Sequence, residues 1–185
     1  MEKTVERTKS ELPRIILTGP ECTAKTTLTV DLANRFGTIY IAEYAREYIE
    51  NLKRQYTYDD VVNIAMKQVE LMETFSNKSG ELLFLDTYLI ITKIWFIRVF
   101  GTMPEWINAE IQKTKNDLYL LCKPDIPWKP DSVRENGGEM REILYQEYEN
   151  ELKLAGLHYA IVDGQGSERL NTAVKIVKEF LSKKL

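Results

Sequence analysis

One short stretch near the start of the chain carries residues whose types and spacing suit phosphate chemistry. Residues 14–28 read RIILTGPECTAKTTL. They match the phosphate-binding template GxxxxGK followed by Ser or Thr at Gly19, Lys25 and Thr26, but Ala24 stands where the second glycine belongs. Backbone amides in such a loop, with the free amides of the next helix, form a concavity that favours a polyphosphate. The stretch therefore predicts a nucleotide-binding loop.

Each side chain of this loop has an expected role. We expect Lys25 to neutralise the β- and γ-phosphates of ATP and the Thr26 hydroxyl to hold Mg²⁺. A Cβ at Ala24 is harmless if its φ is negative and costs on the order of 1 kcal/mol if its backbone is left-handed. We therefore expect the loop to persist with weaker nucleotide affinity. The other loop positions predicted to contact the nucleotide are Glu21, Cys22, Thr23 and Thr27.

Two carboxylates follow predicted strands and are candidates for the chemistry. Glu43 comes after a strand at Thr38–Ala42, and Asp86 ends an apolar strand at Leu82–Asp86. Ligands of an open parallel sheet bind beyond the carboxyl ends of its strands, where both acids are expected. Asp86 is suited to hold Mg²⁺, and Glu43 is suited to take a proton from an attacking hydroxyl. The alternatives are a helix N-cap for Asp86 and a first-turn helix acid for Glu43.

Strands alternate with helices along the rest of the chain. This order predicts an α/β fold, a P-loop NTPase three-layer α/β/α sandwich with a five-stranded parallel sheet. Residues 1–12 are expected to form a flexible lead-in, residues 13–185 one domain, and residues of about 123–141 a lid loop. The predicted strands span 15–17, 38–42, 82–86, 118–122 and 159–162. The predicted helices span 26–36, 43–50, 58–75, 89–100, 105–113, 139–154 and, at the end of the chain, about 170–181. The fourth of these helices is apolar nearly all round and is expected to be buried.

Composition narrows the classes of partner and compartment. The chain has 185 residues, 44% of them hydrophobic, and a formal net charge of −3, which gives no general attraction for nucleic acid or an anionic membrane. Two cysteines, Cys22 and Cys122, do not suggest a disulfide framework or a metal cluster. Without a signal-peptide pattern or an apolar run long enough to span a bilayer, the cytoplasm is the expected compartment. The sequence does not predict the oligomeric state.

Several segments together resemble the ribosylnicotinamide kinase domain of NadR-type proteins and related stand-alone ATPases. They are GPECTAKTT, AEYAREYIE, LFLDTYLIITKIW, VFGTMPEWI and LYLLCKPDIPWKPDSVRE, in that order. The resemblance implies a phosphate-loop kinase that transfers the γ-phosphoryl group of ATP to the 5′-hydroxyl of nicotinamide riboside. The chain departs from the family at Cys22, Ala24 and Tyr88, where a serine, a glycine and an acid are expected. If that acid contacts ribose in the family, the substrate has shifted here.

A kinase would need further side chains around its acceptor. Arg134 and Arg141 are expected to bring guanidinium groups onto the transferred phosphate when the lid closes, with solvated surface arginines as the alternative. The other predicted substrate contacts are aromatic faces for a cationic nicotinamide, acceptors for ribose hydroxyls and one anchoring cation. They are Trp128 and Tyr44, Asp125 and Asp131, and Arg46. Trp128 packed against a helix and Arg46 paired with a carboxylate are the alternatives.

Two other functions are compatible with the same residues. A carboxylate after the second strand and lid arginines also suit a kinase for another nucleoside or for a nucleotide. The departures at Ala24 and Tyr88 suit an ATP-binding sensor with weak turnover. In all three cases the expected ligands are a nucleotide with Mg²⁺, and in the two kinases also a small-molecule acceptor.

Overall fold

The computed structural model describes residues 12–78, 80–130 and 134–183. The predicted lead-in lies almost entirely outside these residues. The strands of the described chain are β1 Arg14–Thr18, β2 Ile39–Ile41, β3 Leu83–Asp86, β4 Leu118–Cys122 and β5 His158–Val162. The helices are α1 Lys25–Phe36, α2 Tyr44–Asn51, α3 Tyr58–Ser76, α4 Leu89–Phe100, α5 Trp106–Gln112, α6 Met140–Leu154 and α7 Gly166–Ser182. The predicted elements are confirmed, with small shifts at their ends.

All five strands are parallel, in the order β2-β3-β1-β4-β5. From β1 the chain crosses over the position of β3 to form β2, and from β3 it later crosses over β1 to form β4. The direction of the crossover connections therefore reverses between β1 and β3. Ligands of such sheets bind at this reversal, outside the carboxyl ends of the strands. Leu17 of β1 is paired with Asp86 of β3, which places the loop after β1 beside Asp86.

The central strands β1, β3 and β4 are buried on both faces, and their successive side chains point to opposite sides of the sheet. Ile15 and Leu17 pack with Phe84 and with Leu32 of α1 in one core, and α7 closes the same face. Ile16 belongs to the second core, where α3, α4, α5 and α6 cover the other face. The predicted three-layer arrangement is therefore confirmed.

The predicted full burial of α4 is wrong for part of its surface. Leu89, Ile90 and Phe96 are buried, but Ile97 and Val99 are 44% and 49% exposed. Val99 lies on the wall of the open cavity described below. The apolar residues of this helix thus serve both a core and a cavity surface. None of the helices in the described part of the chain combines the length and hydrophobicity that a bilayer crossing requires.

Candidate active site

The loop between β1 and α1 has a strained backbone, which the sequence offered as one of two alternatives at Ala24. Gly19 has a φ of 136°, and a Cβ on it would lie 2.6 Å from the Cys122 carbonyl oxygen, so only glycine fits there. Cys22 and Ala24 are also left-handed, with φ values of 56° and 59°. The strained alternative considered for Ala24 is therefore the one observed. The expected weaker nucleotide affinity stays a prediction.

The lysine and threonines of the loop are positioned locally. The Lys25 ammonium donates to the Pro20 carbonyl at 2.8 Å, and the Thr23 hydroxyl donates to the same oxygen at 3.0 Å. Thr26 and Thr27 lie in the first turn of α1, and both are exposed on the wall of the cavity. The Thr26 hydroxyl lies beside Asp86, whose pKa it lowers. The loop thus holds its cation and its hydroxyl groups at the carboxyl edge of the sheet.

Glu43 and Asp86 are brought together near Lys25. Glu43 keeps part of its surface open to the cavity, but protein atoms surround its carboxyl group. This burial raises the pKa of Glu43, with Lys25 opposing the rise and Asp86 adding to it. Burial also raises the pKa of Asp86, which is 2% exposed, while Thr26 and Lys25 oppose that rise. Two carboxyl groups with raised pKa values and one ammonium group therefore share a partly desolvated site.

Neither acid makes the side-chain hydrogen bond of a helix N-cap. The N-cap of α4 is Tyr88, two residues beyond Asp86. Glu43 is the N-cap residue of α2, yet its side chain makes no capping hydrogen bond, which leaves the carboxylate available to the cavity. Tyr88 itself is 1% exposed and is not among the residues that line that cavity.

A cavity of about 450 Å³ opens above the loop. Its walls include every predicted nucleotide-contacting residue from Gly19 and Glu21 to Thr27, together with Glu43, Arg46 and Arg134. Arg46 also forms an ion pair with Glu50 at 3.0 Å, so the two roles considered for Arg46 are both compatible with its position. The Arg134 guanidinium donates to the Lys129 carbonyl at 2.6 Å within the predicted lid. The cavity is large enough for a small ligand.

Four predicted site residues lie elsewhere. Arg141 is 6% exposed and donates to loop carbonyls, which excludes the solvated surface alternative and leaves its guanidinium behind the loop. Trp128 packs over Gly137, and Tyr44 packs edge-on against Tyr48; neither lines the cavity. Asp125 pairs with the buried Arg169 and so ties the end of β4 to the start of α7. Asp131 lies outside the described residues.

The aromatic wall of the cavity comes from residues that the sequence patterns did not single out. Tyr56, Trp95 and Tyr148 line it, and the Tyr56 and Trp95 rings meet edge to face with their centroids 4.9 Å apart. The role of Trp95 could have been predicted from the sequence, because α4 carries more apolar residues than one core-facing stripe of a helix requires. Tyr56 precedes α3 and Tyr148 lies in α6, and no local pattern joins them.

The phosphate loop is in contact with the described end of the predicted lid. The Glu21 carboxylate accepts hydrogen bonds from the backbone amides of Glu135 and Asn136, at 3.3 and 3.1 Å. The Asn136 side-chain amide donates to it as well, at 3.1 Å. Cys22 donates weakly from its thiol to the Pro127 carbonyl, at 3.5 Å. Residues 134–136 therefore cover the cavity next to the loop.

The residues present fit Mg²⁺. Both carboxylate oxygens of Asp86 are buried without a well-formed hydrogen bond to a described residue, and the Thr26 hydroxyl lies alongside. No cluster of three or more His, Cys, Asp or Glu residues is found in the described chain. A magnesium ion needs no such cluster, because it is bound by one or two protein oxygens together with substrate phosphates and water.

Comparison with protein families agrees with this geometry. The model of the family described as an AAA domain matches residues 14–169, from β1 to the Arg169 side chain that touches the loop. The chain belongs to this family. The match covers all five strands, the phosphate loop and both carboxylates.

Curated relatives support the resemblance drawn from the sequence. The chain is 26% identical over 180 residues to the trifunctional NAD biosynthesis/regulator protein NadR of Salmonella typhimurium, covering 90% of this chain and 42% of the relative. It is also 26% identical over 139 residues to the protein of the same name from Escherichia coli, covering 71% of this chain and 33% of the relative. The resemblance to NadR-type proteins is confirmed. The chain spans less than half the length of these relatives.

Solved structures show the same fold. A NadR protein in complex with NR superposes with a TM-score of 0.73 at 22% identity, covering 92% of this chain and 51% of that one. A NadR protein with NAD and AMP-PNP gives a TM-score of 0.71 at 22% identity, covering 92% and 49%. A deoxyadenosine kinase from M. mycoides gives 0.60 at 14% identity, covering 90% and 99%. The predicted P-loop NTPase fold is confirmed.

Proposed function

We propose that the chain is an ATP-dependent kinase of a small nucleoside, with nicotinamide riboside as the first candidate acceptor. The observation that carries the proposal is the common cavity of Lys25, Glu43 and an aromatic wall. A phosphate-binding loop alone would support nucleotide binding, but a carboxylate with a raised pKa beside it also supports proton removal from a second substrate. The similarity to NadR-type proteins supports the choice of acceptor.

Phosphoryl transfer needs alignment and charge neutralisation more than covalent participation by the protein. The loop amides and Lys25 would bind the triphosphate, and Thr26 and Asp86 would hold Mg²⁺, which supplies electrostatic stabilisation of the phosphates when bound. Lys25 would first exchange its bond to the Pro20 carbonyl for a phosphate oxygen. Glu43 would orient the acceptor hydroxyl and accept its proton. Arg134, at the lid side of the cavity, would face the transferred group.

The acceptor ring would rest on the aromatic wall. Trp95 and Tyr56 offer flat faces beside the cavity, and a positively charged pyridinium ring is attracted to such faces. The side chain of Glu135 lies near Tyr56, 3.4 Å from its hydroxyl oxygen, and adds negative charge to that end. These residues replace Trp128 and Tyr44 as the proposed contacts of the ring. The nicotinamide cation, more than a neutral base, would gain from both features.

A phosphoryl-transfer assay with ATP, Mg²⁺ and a panel of acceptors tests the proposal. The panel contains nicotinamide riboside, neutral purine and pyrimidine nucleosides, and nucleoside monophosphates. We expect the highest kcat/KM with nicotinamide riboside. Trp95→Leu should raise the KM for that acceptor about tenfold, because about 1 to 2 kcal/mol of ring contact is lost. Trp128→Leu is the matched control, since Trp128 lies outside the cavity, and it should leave KM unchanged.

The same assay separates the alternatives. Transfer only to a neutral nucleoside or to a monophosphate supports the kinase and rejects the nicotinamide acceptor. Tight ATP binding without transfer to any acceptor rejects the kinase in favour of a nucleotide sensor. Equal effects of Trp95→Leu and Trp128→Leu on KM contradict the proposed aromatic wall.

A further inference from the structure

Two buried arginines hold three consecutive carbonyl groups of the phosphate loop. Arg141 of α6 donates from Nε to the Glu21 carbonyl at 3.1 Å and from Nη2 to the Cys22 carbonyl at 3.0 Å. Arg169 of α7 donates from Nη1 to the Thr23 carbonyl at 3.1 Å. Arg141 is 6% exposed and Arg169 is 2% exposed, so these are charge-assisted bonds shielded from water. Two helices distant in sequence thus converge on one side of the loop.

The direction of these bonds fixes the direction of the loop amides. In a trans peptide the carbonyl group of one residue and the amide of the next point in opposite directions. The amides of residues 22–24 therefore point away from the two arginines, on the side where the cavity lies. Among the residues that the structure describes, none accepts a hydrogen bond from these three amides. They are oriented for an anion before any anion is bound.

This arrangement has a cost that something else in the fold must offset. Cys22 and Ala24 are both left-handed, a conformation that costs an L-residue roughly 1–2 kcal/mol. A loop with glycine at residue 24 would meet no such penalty there. The hydrogen bonds from Arg141 hold the peptide groups on both sides of Cys22, and the bond from Arg169 holds the peptide group that precedes Ala24. They oppose relaxation of the loop from outside it, in addition to the local bonds of Thr23 and Lys25 to the Pro20 carbonyl.

We propose that Arg141 and Arg169 are positioning residues that hold the phosphate loop in its nucleotide-binding conformation before the nucleotide arrives. The inference rests on the proposed function in one respect, since it takes the loop to receive nucleotide phosphates. It also revises the role expected for Arg141, which acts through the loop backbone and not on the transferred phosphate. The requirement for this clamp follows from the alanine at residue 24.

Calorimetric titration of the full chain with ATP and Mg²⁺ tests the clamp. We expect Arg141→Met to weaken ATP binding about tenfold, because the loop amides are no longer preoriented. Arg141→Lys should lose most of the same affinity, since an ammonium cannot bridge two carbonyl groups as the planar guanidinium does. Arg14→Met is the matched control. Arg14 is an ion-paired arginine at the opposite end of β1, and its loss should change the ATP Kd less than twofold.

A second substitution separates positioning from general stability. Ala24→Gly removes the left-handed penalty, so it should restore at least half of the lost factor in ATP affinity to Arg141→Met, a larger gain in affinity than the same substitution gives the parent protein. Arg169→Lys, with Arg169→Met as the stronger variant, should show the same rescue. Equal ATP affinities of Arg141→Met and Arg14→Met, or losses that Ala24→Gly does not reduce, would overturn the proposal.

The outcome remains interpretable if the proposed function fails. A parent protein that binds ATP without transferring phosphate rejects the kinase, and the clamp is then judged from ATP affinity alone. If the parent protein does not bind ATP, both the kinase and the nucleotide-binding role of the loop are rejected. The clamp is then judged from thermal unfolding. Adding Ala24→Gly should raise the Tm of the parent protein by more than it raises the Tm of the Arg141→Met variant. An equal rise in Tm in both proteins would overturn the proposal.

Discussion

Replacing Ala24 with glycine should stabilise the protein. Ala24 has φ 59° and ψ 27°, in the left-handed region. This conformation costs alanine roughly 1–2 kcal/mol, whereas glycine adopts it freely. Glycine also gains conformational entropy in the unfolded chain, which returns about 0.4–1 kcal/mol of that advantage. The net gain in unfolding free energy is about 0.5–1 kcal/mol, or roughly 1–4 °C in Tm for a chain of this size.

The chain offers a matched opposite substitution. Gly37 ends α1 with φ 64° and ψ 37°, and a Cβ placed on it would meet nothing within 4 Å. Gly37→Ala therefore introduces the same backbone penalty without a steric clash, and it should lower the Tm by a similar amount. Calorimetric melts of both variants at pH 7 provide the measurement. A Tm for Ala24→Gly at or below that of the parent, while Gly37→Ala lowers it, would refute the strained conformation of residue 24.

Three further outcomes follow from the charges of the site. Because burial raises the folded-state pKa of Asp86 above its unfolded value, the stability that this carboxyl contributes is present at low pH and is lost as pH rises through the folded pKa. Asp86→Asn should therefore raise the Tm at pH 7, each unit of pKa shift being worth about 1.4 kcal/mol, and the gain should shrink in melts near pH 3.5. If Glu43 is the base, kcat/KM should fall on acidification with an apparent pKa above the ordinary glutamate value of about 4.5, and Glu43→Gln should lower kcat by about 10² to 10⁴. A profile flat to pH 4 would contradict that role. Glu21→Ala should speed the hydrogen exchange of the two lid amides that donate to the Glu21 carboxylate, as measured by mass spectrometry. The control is Glu139→Ala, at an exposed position, which should leave their exchange unchanged. Equal exchange rates in the two variants would exclude the contact.

The site combines several features that oppose stability. It contains three non-glycine residues of positive φ, Cys22 and Ala24 in the loop and Thr87 beside Asp86, and two carboxyl groups whose ionised forms are disfavoured by burial. Strained residues and destabilised charges are concentrated at binding and active sites that are preorganised for a ligand. A bound magnesium ion would supply the positive charge that the two buried carboxyl groups lack, and the loop amides would bind the phosphates. The proposed function and the local strain thus have a common physical origin.

Local patterns in the sequence were sufficient for the elements and for the phosphate loop. Hydrophobic periodicity and the positions of Gly37 and Asp86 depend on neighbours within a few residues, so they can be read along the chain. The parallel sheet then follows from the alternation of strands and helices, and with it the approach of Glu43 and Asp86. These predictions concern backbone conformation and the ends of strands, which short segments largely determine.

Tertiary structure alone decided which side chains share the cavity. Trp128 and Asp125 had suitable chemistry in a suitable loop, yet packing over Gly137 and pairing with Arg169 hold them outside the cavity. Arg141 had the right charge for the lid, but it is buried behind the phosphate loop. The direction in which a side chain points depends on contacts with segments that are distant in the sequence. The two arginines that contact the phosphate loop are more than a hundred residues away from it along the chain, and such contacts leave no local pattern. The sequence determined the chemistry available to this protein, and packing determined where that chemistry is assembled.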